Sequence, residues 1–443
     1  MCLPYSSRLL RTLHLTNCWH ATSGGIATFY RALLKTAEGA GHEIRLVVPG
    51  ERDAVEPVGC SGKIYYLRSP LAPFNSRYRI IYPPQFLAPG GRLQKILLSE
   101  RPHIVEVCDK YTLNYLGPLL RRRLLRGLDF RPVVVGLTCE RMDDNVRAYI
   151  GAGPGWRAFC AQYMKWLYFP FFDCHIANSE YTADELRDAS RARGLSRHIE
   201  IFVRPMGVDL HYFSPSRKSA AARQLLLRRC GGGDESVLLI YSGRLVPEKN
   251  LPLLFEVFAR LAGSGGRDYR LLIAGDGIER PRWESFCASH VPGRVAFLGH
   301  LQDPGELAGH LANADAFVHP NHREPFGIAP LEAMASGLPL VAPDRGGVST
   351  YAHSENAWTA APDPESFVSA IHALLDDADE TARRARNALH MAAEFRWEKV
   401  AAGFLDLYAE LHRLAMAEGT EVGSPRDESA IALSASRGFS KSA

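Results

Sequence analysis

The sequence lacks the residue patterns that usually indicate a metal site or a disulfide framework. Its nine cysteines are an odd number and include no C-x-x-C pair, which argues against both and favours a reducing compartment such as the cytosol. We also predict that no D-x-D, H-x-x-E or Cys/His cluster supplies a metal site. We therefore expect no metal and no cofactor, so that protein groups alone must neutralise any charge on a leaving group.

Long apolar runs and a strong net charge are also missing. No stretch reaches the ~20 uncharged apolar residues of a membrane-spanning helix. Arg8, Arg11 and His14 interrupt the apolar runs at the start, which argues against a signal peptide. With 52 basic and 48 acidic residues, the net charge of +4 is too small to predict nucleic-acid binding. We expect a cytoplasmic protein that is soluble or, at most, peripheral at the inner face of the cytoplasmic membrane.

The chain is long enough for two domains, and its start predicts an α/β fold. It has 443 residues, of which 46% are hydrophobic. Residues 9–16 and 43–48 read as strands, and residues 26–38 have a helical pattern between them. Gly24 and Gly25 lie where the first strand meets the helix, so a phosphate could approach the helix N-terminus closely. The alternative is a plain tight turn.

Two glutamates eight residues apart, Glu324 and Glu332, enclose the most informative stretch of the second half. Prolines and a glycine between them rule out one regular helix, and instead predict a loop followed by a new helix that carries Glu332 one turn inside. The backbone N–H groups of Phe326, Gly327 and Ile328 then lie at the helix N-terminus, which attracts anions. Carboxylates accept hydrogen bonds from sugar hydroxyls, so together these features suit a nucleotide sugar.

A second loop in this half carries two cations, Arg244 and Lys249. It follows an apolar stretch that predicts a strand, and cations at the carboxyl end of a strand suit a diphosphate leaving group. The alternative is an ordinary pair of surface cations. A glycosidase is disfavoured, because a site rich in Arg and Lys would not keep a catalytic carboxylic acid protonated.

The run E-P-F-G-I-A-P-L-E-A-M-A-S-G-L-P-L-V-A resembles the E-x7-E signature of the retaining glycosyltransferases of family four, and residues 243–250 resemble the family's G-R-L-x-x-x-K-N signature. The resemblance implies a GT-B fold, with two Rossmann-like domains that face each other across a deep cleft. It implies that Glu324 contacts the transferred sugar and Glu332 the ribose, while Arg244 and Lys249 meet the leaving charge. It also implies that the Gly24 loop reaches the donor phosphates.

On this basis we divide the chain into five parts. They are an N-terminal acceptor-side domain (1–206), a hinge and linker (207–235), a C-terminal domain that binds the nucleotide sugar (236–393), a helix that crosses back to the first domain (394–416) and a disordered tail (417–443).

The implied function is transfer of a sugar from a nucleoside diphosphate donor to an acceptor hydroxyl in glycan, glycolipid or polysaccharide synthesis, with retained anomeric configuration and without a metal. GDP-mannose is the preferred donor and a UDP-sugar is possible. Two alternatives stay open: a nucleotide-sugar epimerase of the same architecture, and a non-catalytic protein that only binds the nucleotide sugar.

The acceptor side departs from the family pattern. Many relatives carry a histidine where this chain has Cys108, so any acceptor contact through histidine is in doubt. Asp109 is the nearest titratable substitute at the carboxyl end of a predicted strand, although an aspartate there commonly caps a helix instead.

Two further stretches raise the possibility of peripheral membrane contact. Residues 119–126 are basic with interleaved leucines, and residues 156–172 contain eight aromatic residues. The alternatives are a solvated basic face in the first case and a helix packed into the core in the second. We favour these alternatives, because aromatic residues at helical spacing usually fill a core.

Overall fold

The structure, a computed structural model, describes residues 10–20, 24–73, 75–151, 153–193 and 199–420. The elements of its first half are β1 (Leu10–Thr16), α1 (Gly25–Ala40), β2 (His42–Gly50), β3 (Ala54–Val58), β4 (Gly62–Arg68), β5 (Leu71–Ala72), β6 (Asn75–Arg79), α2 (Pro84–Leu87), α3 (Arg92–Glu100), β7 (Ile104–Cys108), α4 (Leu116–Arg121), β8 (Val133–Thr138), α5 (Met142–Tyr149), α6 (Pro154–Tyr163), β9 (Cys174–Ala177), α7 (Glu180–Arg193) and β10 (Glu200–Val203). Those of its second half are α8 (Ala220–Arg229), β11 (Val237–Ser242), α9 (Leu251–Gly263), β12 (Tyr269–Ala274), α10 (Arg280–His290), β13 (Val295–Gly299), α11 (Pro304–Ala312), β14 (Ala316–Val318), α12 (Ile328–Ala335), β15 (Leu340–Pro343), β16 (Trp358–Ala360), α13 (Pro364–Asp376), α14 (Ala378–Glu394) and α15 (Trp397–Thr420).

The first half forms an eight-stranded sheet in the order β10-β9-β8-β7-β1-β2-β4-β3, in which β3 is the antiparallel strand. Every residue of β7 and β8 is buried, because helices cover both faces of the sheet. Phe29 of α1 and Phe404 of α15 belong to the core on one face, and Leu97 of α3 and Leu120 of α4 to the core on the other. The predicted opening βαβ unit is β1-α1-β2, with β1 and β2 parallel.

The second half forms a separate six-stranded sheet in the order β13-β12-β11-β14-β15-β16, with all its strand pairs parallel. The chain order reverses at β11, which lies between β12 and β14. Open parallel sheets bind ligands outside the carboxyl ends of the strands at such a reversal. Two Rossmann-like sheets are therefore present, as the resemblance implied.

The last helix, α15, packs against the first domain. The rings of Phe404 and Phe29 lie 4.7 Å apart, and the hydroxyl group of Tyr408 donates a hydrogen bond to the buried carboxylate of Glu106 on β7. The same carboxylate accepts hydrogen bonds from Tyr30 on α1 at 3.0 Å and lies 2.9 Å from Nδ1 of His14. A buried polar network thus joins the end of the chain to the first sheet.

Two segments differ from the sequence prediction. The stretch predicted as hinge and linker contains a helix, α8, whose Leu226 and Leu227 are buried. The arginines of α8 and the glycines that follow it are typical of a linker, so these two core positions were not predicted. The segment predicted as a disordered tail begins within α15, which ends at Thr420, and residues 421–443 lie outside the described part of the chain. Across the described residues, no helix is both long and apolar enough to cross a bilayer.

Candidate active site

Three loops at the carboxyl ends of β11, β12 and β14 form the candidate site. The loops after β11 and β12 are in backbone contact, since a Cβ atom on Gly275 would lie 1.9 Å from the carbonyl oxygen of Gly243. Asn250 adopts a left-handed conformation (φ 52°) and donates a hydrogen bond from its side chain to the carbonyl oxygen of Pro320 at 2.9 Å. This bond fixes the loop after β11 to the loop after β14.

The fixed loops bring Lys249 and Glu324 into direct contact, although 75 residues separate them in the sequence. The ammonium group of Lys249 lies 2.8 Å from both carboxylate oxygens of Glu324. Asn321 donates a further hydrogen bond to Glu324 at 3.0 Å. The carboxylate is therefore held in one orientation by two donors.

Charge and burial have opposite effects on the pKa of the carboxyl group of Glu324, a residue that is 8% exposed. Burial alone would raise the pKa of its carboxyl group, but Lys249, His319 and the hydrogen bond from Asn321 outweigh it and lower that pKa to about 2. Glu324 is thus an ionised acceptor at neutral pH. It is unsuited to act as a general acid.

Sequence reasoning missed two polar neighbours on the same loop. The Nε2 atom of His319 lies 3.9 Å from Glu324 and has no hydrogen-bond partner among the described residues, and burial lowers the pKa of this imidazole to about 4. Asn321 binds Glu324 as described above. Their position directly after a buried strand was the available signal, because the carboxyl ends of parallel strands carry ligand-binding residues.

Glu332 lies on α12, which begins after Gly327 (φ 86°) and ends before Gly337 (φ 70°), as the sequence predicted. Among the described residues its carboxylate makes no hydrogen bond or ion pair. Burial raises its pKa from 4.5 to about 7. A half-buried carboxylate without a partner is costly unless a ligand supplies donors.

The first turns of α1 and α12 meet across the cleft. A Cβ atom on Gly25 would lie 2.5 Å from Cδ1 of Ile328, whereas a Cβ atom on Gly24 would meet no described atom within 4 Å. Gly25 therefore allows the two helices to approach, and Gly24 leaves open space beside them. The structure places two helix N-termini, each with free N–H groups, around one region.

Arg244, the other predicted cation, lies on the same loop as Lys249 but has a different partner. Its guanidinium donates a hydrogen bond to Glu248 at 2.9 Å, and its side chain is 54% exposed. Glu248 also accepts a 2.5 Å hydrogen bond from Tyr149, at the end of α5 in the first domain. Arg244 is near enough to the opening loop of the first domain to affect His20, where burial first and then Arg244 lower the pKa to about 4.

Two other contacts join the domains beside the Glu324 loop. Ser179 donates a 2.5 Å hydrogen bond to the carbonyl oxygen of Pro325, and the guanidinium of Arg323 lies 3.4 Å from Asp144. The sequence contained no local signal for these pairs, because each joins residues more than 140 positions apart.

Asp109, the predicted acceptor-side acid, caps the chain after β7. One of its oxygens accepts hydrogen bonds from the backbone N–H groups of Tyr111, Thr112 and Leu113, at 3.0, 2.6 and 2.8 Å. This is the alternative raised from the sequence, and it leaves an acceptor role as a prediction. In the part of the chain that the structure describes, His, Cys, Asp and Glu side chains form no group of three that could hold a metal ion.

Comparison with known families gives two matches, one in each half. Residues 23–212 match the pattern described as "Glycosyltransferase Family 4", and residues 230–391 match "Glycosyl transferases group 1".

Two curated relatives and two solved structures extend these matches. The GDP-mannose-dependent alpha-(1-6)-phosphatidylinositol dimannoside mannosyltransferase of Mycobacterium tuberculosis is 27% identical over 94% of this chain and 100% of its own length. The D-inositol 3-phosphate glycosyltransferase of Stackebrandtia nassauensis is 31% identical over 54% of each chain.

Sucrose-phosphate synthase from Thermosynechococcus elongatus superimposes with a TM-score of 0.72 at 21% identity, over 91% of this chain and 100% of that structure. Starch synthase IV from Arabidopsis thaliana, bound to ADP and acarbose, gives 0.65 at 15% identity, over 91% and 99%. These two likenesses concern the fold alone, and they confirm the predicted arrangement of two Rossmann-like domains.

Proposed function

Since this chain belongs to glycosyltransferase family 4 and has the GT-B fold, we propose that it transfers mannose from GDP-mannose to an acceptor hydroxyl, with retained anomeric configuration. The observation that carries the proposal is the ion pair of Lys249 with the buried Glu324, on loops adjoining the two facing helix N-termini. Such a site offers a cation, free N–H groups and fixed carboxylate acceptors together. These are the groups that a sugar diphosphate requires.

Each part of the donor has a proposed partner. The diphosphate lies between the N-termini of α1 and α12, where Gly24 leaves open space. Lys249 contacts the oxygens of the diphosphate. Arg244 releases Glu248 and binds the diphosphate oxygens as well. Glu324 accepts hydrogen bonds from hydroxyl groups of the sugar, and Glu332 accepts them from the ribose. The ribose thereby supplies the donors that the carboxylate of Glu332 lacks in the described structure.

In the proposed step, the bond from the sugar C1 atom to the phosphate oxygen breaks and a bond from C1 to the acceptor oxygen forms on the same face. The acceptor proton passes to an oxygen of the departing diphosphate. Negative charge grows on that group as the bond breaks, so Lys249 and the helix N–H groups stabilise the transition state more than the ground state. Glu324, ionised and fixed, orients the ring.

The choice of GDP-mannose and of the acceptor class rests on likeness. The mycobacterial relative, similar over almost the whole chain, is named for GDP-mannose and for an inositol phospholipid that carries mannose. The relatives similar over about half of the chain are named for an inositol phosphate. We therefore propose an acceptor that contains inositol or mannose, either linked to lipid or free.

The test is release of nucleoside diphosphate from GDP-mannose and from UDP-glucose, with and without a mannosylated inositol acceptor. A transferase releases GDP only when the acceptor is present, and NMR of the product shows an α linkage. Conversion of the donor without acceptor would indicate an epimerase. A rise in Tm with GDP-mannose but no release would indicate a binding protein.

Charge neutralisation by protein groups alone is tested with EDTA. We expect full activity after chelation, because Lys249, Arg244 and two helix N-termini serve the diphosphate. Loss of activity that is restored by added Mg²⁺ or Mn²⁺ would overturn this part of the proposal.

A further inference from the structure

Helix α6 and the π-helical turn that follows it, Met164–Tyr168, expose an unusual amount of aromatic surface. Trp156 is 44% exposed, Phe159 50% and Trp166 51%. The expectation that the aromatic residues of this segment fill the core is therefore only half right. Tyr168, Phe169 and Phe172 are buried, Tyr163 and Phe171 pack partly buried against the core, and Trp156, Phe159 and Trp166 are exposed.

Two of the exposed residues, Trp156 and Phe159, lie on adjacent turns of α6 and continue to the partly buried Tyr163. The ring of Phe159 is 5.9 Å from that of Trp156 and 6.2 Å from that of Tyr163, so these rings contact one another. Leu167 is also exposed beside Trp166. A row of large apolar side chains on a helix face marks a surface that binds something.

The segment that carries this row is basic in sequence. Residues 145–172 contain three basic side chains and no Asp or Glu. The ammonium group of Lys165 lies 4.8 Å from the ring centre of Trp166, and the guanidinium of Arg193 lies 5.3 Å from the same ring. Aromatic rings beside cations suit the boundary between water and anionic headgroups.

The basic stretch noted in the sequence adjoins the aromatic one. Arg121, at the end of α4, donates hydrogen bonds to the carbonyl oxygen of Pro170 at 2.6 Å and to Asp173 at 2.8 Å. Beyond it, the side chains of Arg122, Arg123 and Leu124 are exposed, and residues 114–128 contain no Asp or Glu. The tertiary structure thus brings together Arg121 and Pro170, which are 49 positions apart in the sequence.

We propose that this aromatic–basic face, formed by α6, the Met164–Tyr168 turn and residues 121–126, docks on a bilayer that contains anionic lipid. Like charge argues against a second copy of the chain as the occupant, because a two-fold contact would set each basic face against its equivalent. The end of this face that is nearest Tyr149, just before α6, lies at the cleft, because Tyr149 binds Glu248 there. The proposal stands independently of the sugar and the acceptor.

The experiment is sedimentation of the full chain with vesicles of neutral phosphatidylcholine, with and without 30% phosphatidylglycerol as the anionic lipid. We expect binding to the anionic vesicles, a blue shift of tryptophan fluorescence and weaker binding as salt rises. The variant Trp156→Ser/Phe159→Ser/Trp166→Ser should weaken binding by about tenfold or more. Leu225→Ser, which replaces a 56% exposed residue of α8, away from the candidate site, is the control.

Arg122→Gln/Arg123→Gln, which touches no core position, should lower affinity for anionic vesicles only. Equal binding to both kinds of vesicle, no binding, or unchanged binding by both variants would overturn the proposal, as would a dimer that the serine variant abolishes. GDP release with a soluble acceptor, measured without vesicles, should be the same for all variants. If the wild-type chain released no GDP in this assay, the result would count against the sugar transfer and not against the docking surface.

Discussion

The two halves of the molecule share a parallel-sheet architecture but supply their polar groups in different ways. In the second half, two short loops present Lys249 and Glu324 at a sheet edge, where the two side chains bind each other. In the first half, the equivalent edge carries Cys108, whose thiol hydrogen-bonds to Cys139, and Asp109, whose carboxylate caps the following turn. Local motifs thus build the proposed donor side, whereas internal contacts occupy the acceptor side.

If the second half carries the chemistry, removing the cation that pairs with Glu324 should have the largest effect. We expect Lys249→Ala to lower kcat by about 10² or more, because negative charge develops on the leaving group in the transition state. Steady-state GDP release measures this. Lys399→Ala, which removes a surface cation paired with Glu394, is the control and should change kcat little.

Glu332→Ala should act mainly on binding. Its proposed ribose contact exists in the ground state and the transition state alike, so the donor KM should rise about tenfold with kcat little changed. The same assay gives both constants. If Lys249→Ala and Glu332→Ala show one kinetic profile, the division of roles between the two residues is wrong.

Gly24 and Gly25 allow a test of the contribution of the first half to the donor site. Gly24→Ala should leave Tm unchanged, because the added Cβ meets no described atom within 4 Å. If phosphate lies there, the variant should nevertheless show a smaller Tm rise with GDP-mannose.

Gly25→Ala forces Ile328 to shift and should lower kcat/KM by about fivefold. Adding Ile328→Val removes the clashing atom and should restore activity; failure to restore it would argue against this contact.

The crossing helix tests whether the halves depend on each other for stability. Tyr408→Phe leaves the buried carboxylate of Glu106 without one donor and should cost about 1–3 kcal/mol of unfolding free energy. Denaturant unfolding measures this. Tyr212→Phe, at an exposed position, is the control. An unchanged free energy would mean that α15 is held by its apolar contacts alone.

The smallest expected effect depends on pH. The folded pKa of Glu332, about 7, lies above its usual 4.5, so the folded state binds more protons between these values and loses stability as pH rises through them. Glu332→Gln removes this loss, and we expect its Tm to exceed that of the wild type by about 2–4 °C more at pH 8 than at pH 5. Glu324 has the opposite sign: its pKa of about 2 adds stability above pH 4.5, which is lost as pH falls towards 2.

Several features were predictable because their causes are local. The glycine and proline positions around Glu324 and Glu332 predicted a loop, a helix start and a helix end, and α12 has them. The opening βαβ unit followed from periodicity alone. The helix α8 was missed because short apolar pairs among arginines do not give a helical signal strong enough to distinguish them from linker.

The sequence by itself determined the fold class, the position of the E-x7-E segment and the residue types that it offers a ligand. Backbone preference and apolar periodicity act over a few residues, and these features require nothing more. The tertiary structure alone decided that Lys249 binds Glu324, that Gly25 meets Ile328 and that the aromatic row of α6 faces outward beside Arg121. Those outcomes depend on which distant surfaces the packing of two sheets brings together, and no local pattern encodes that.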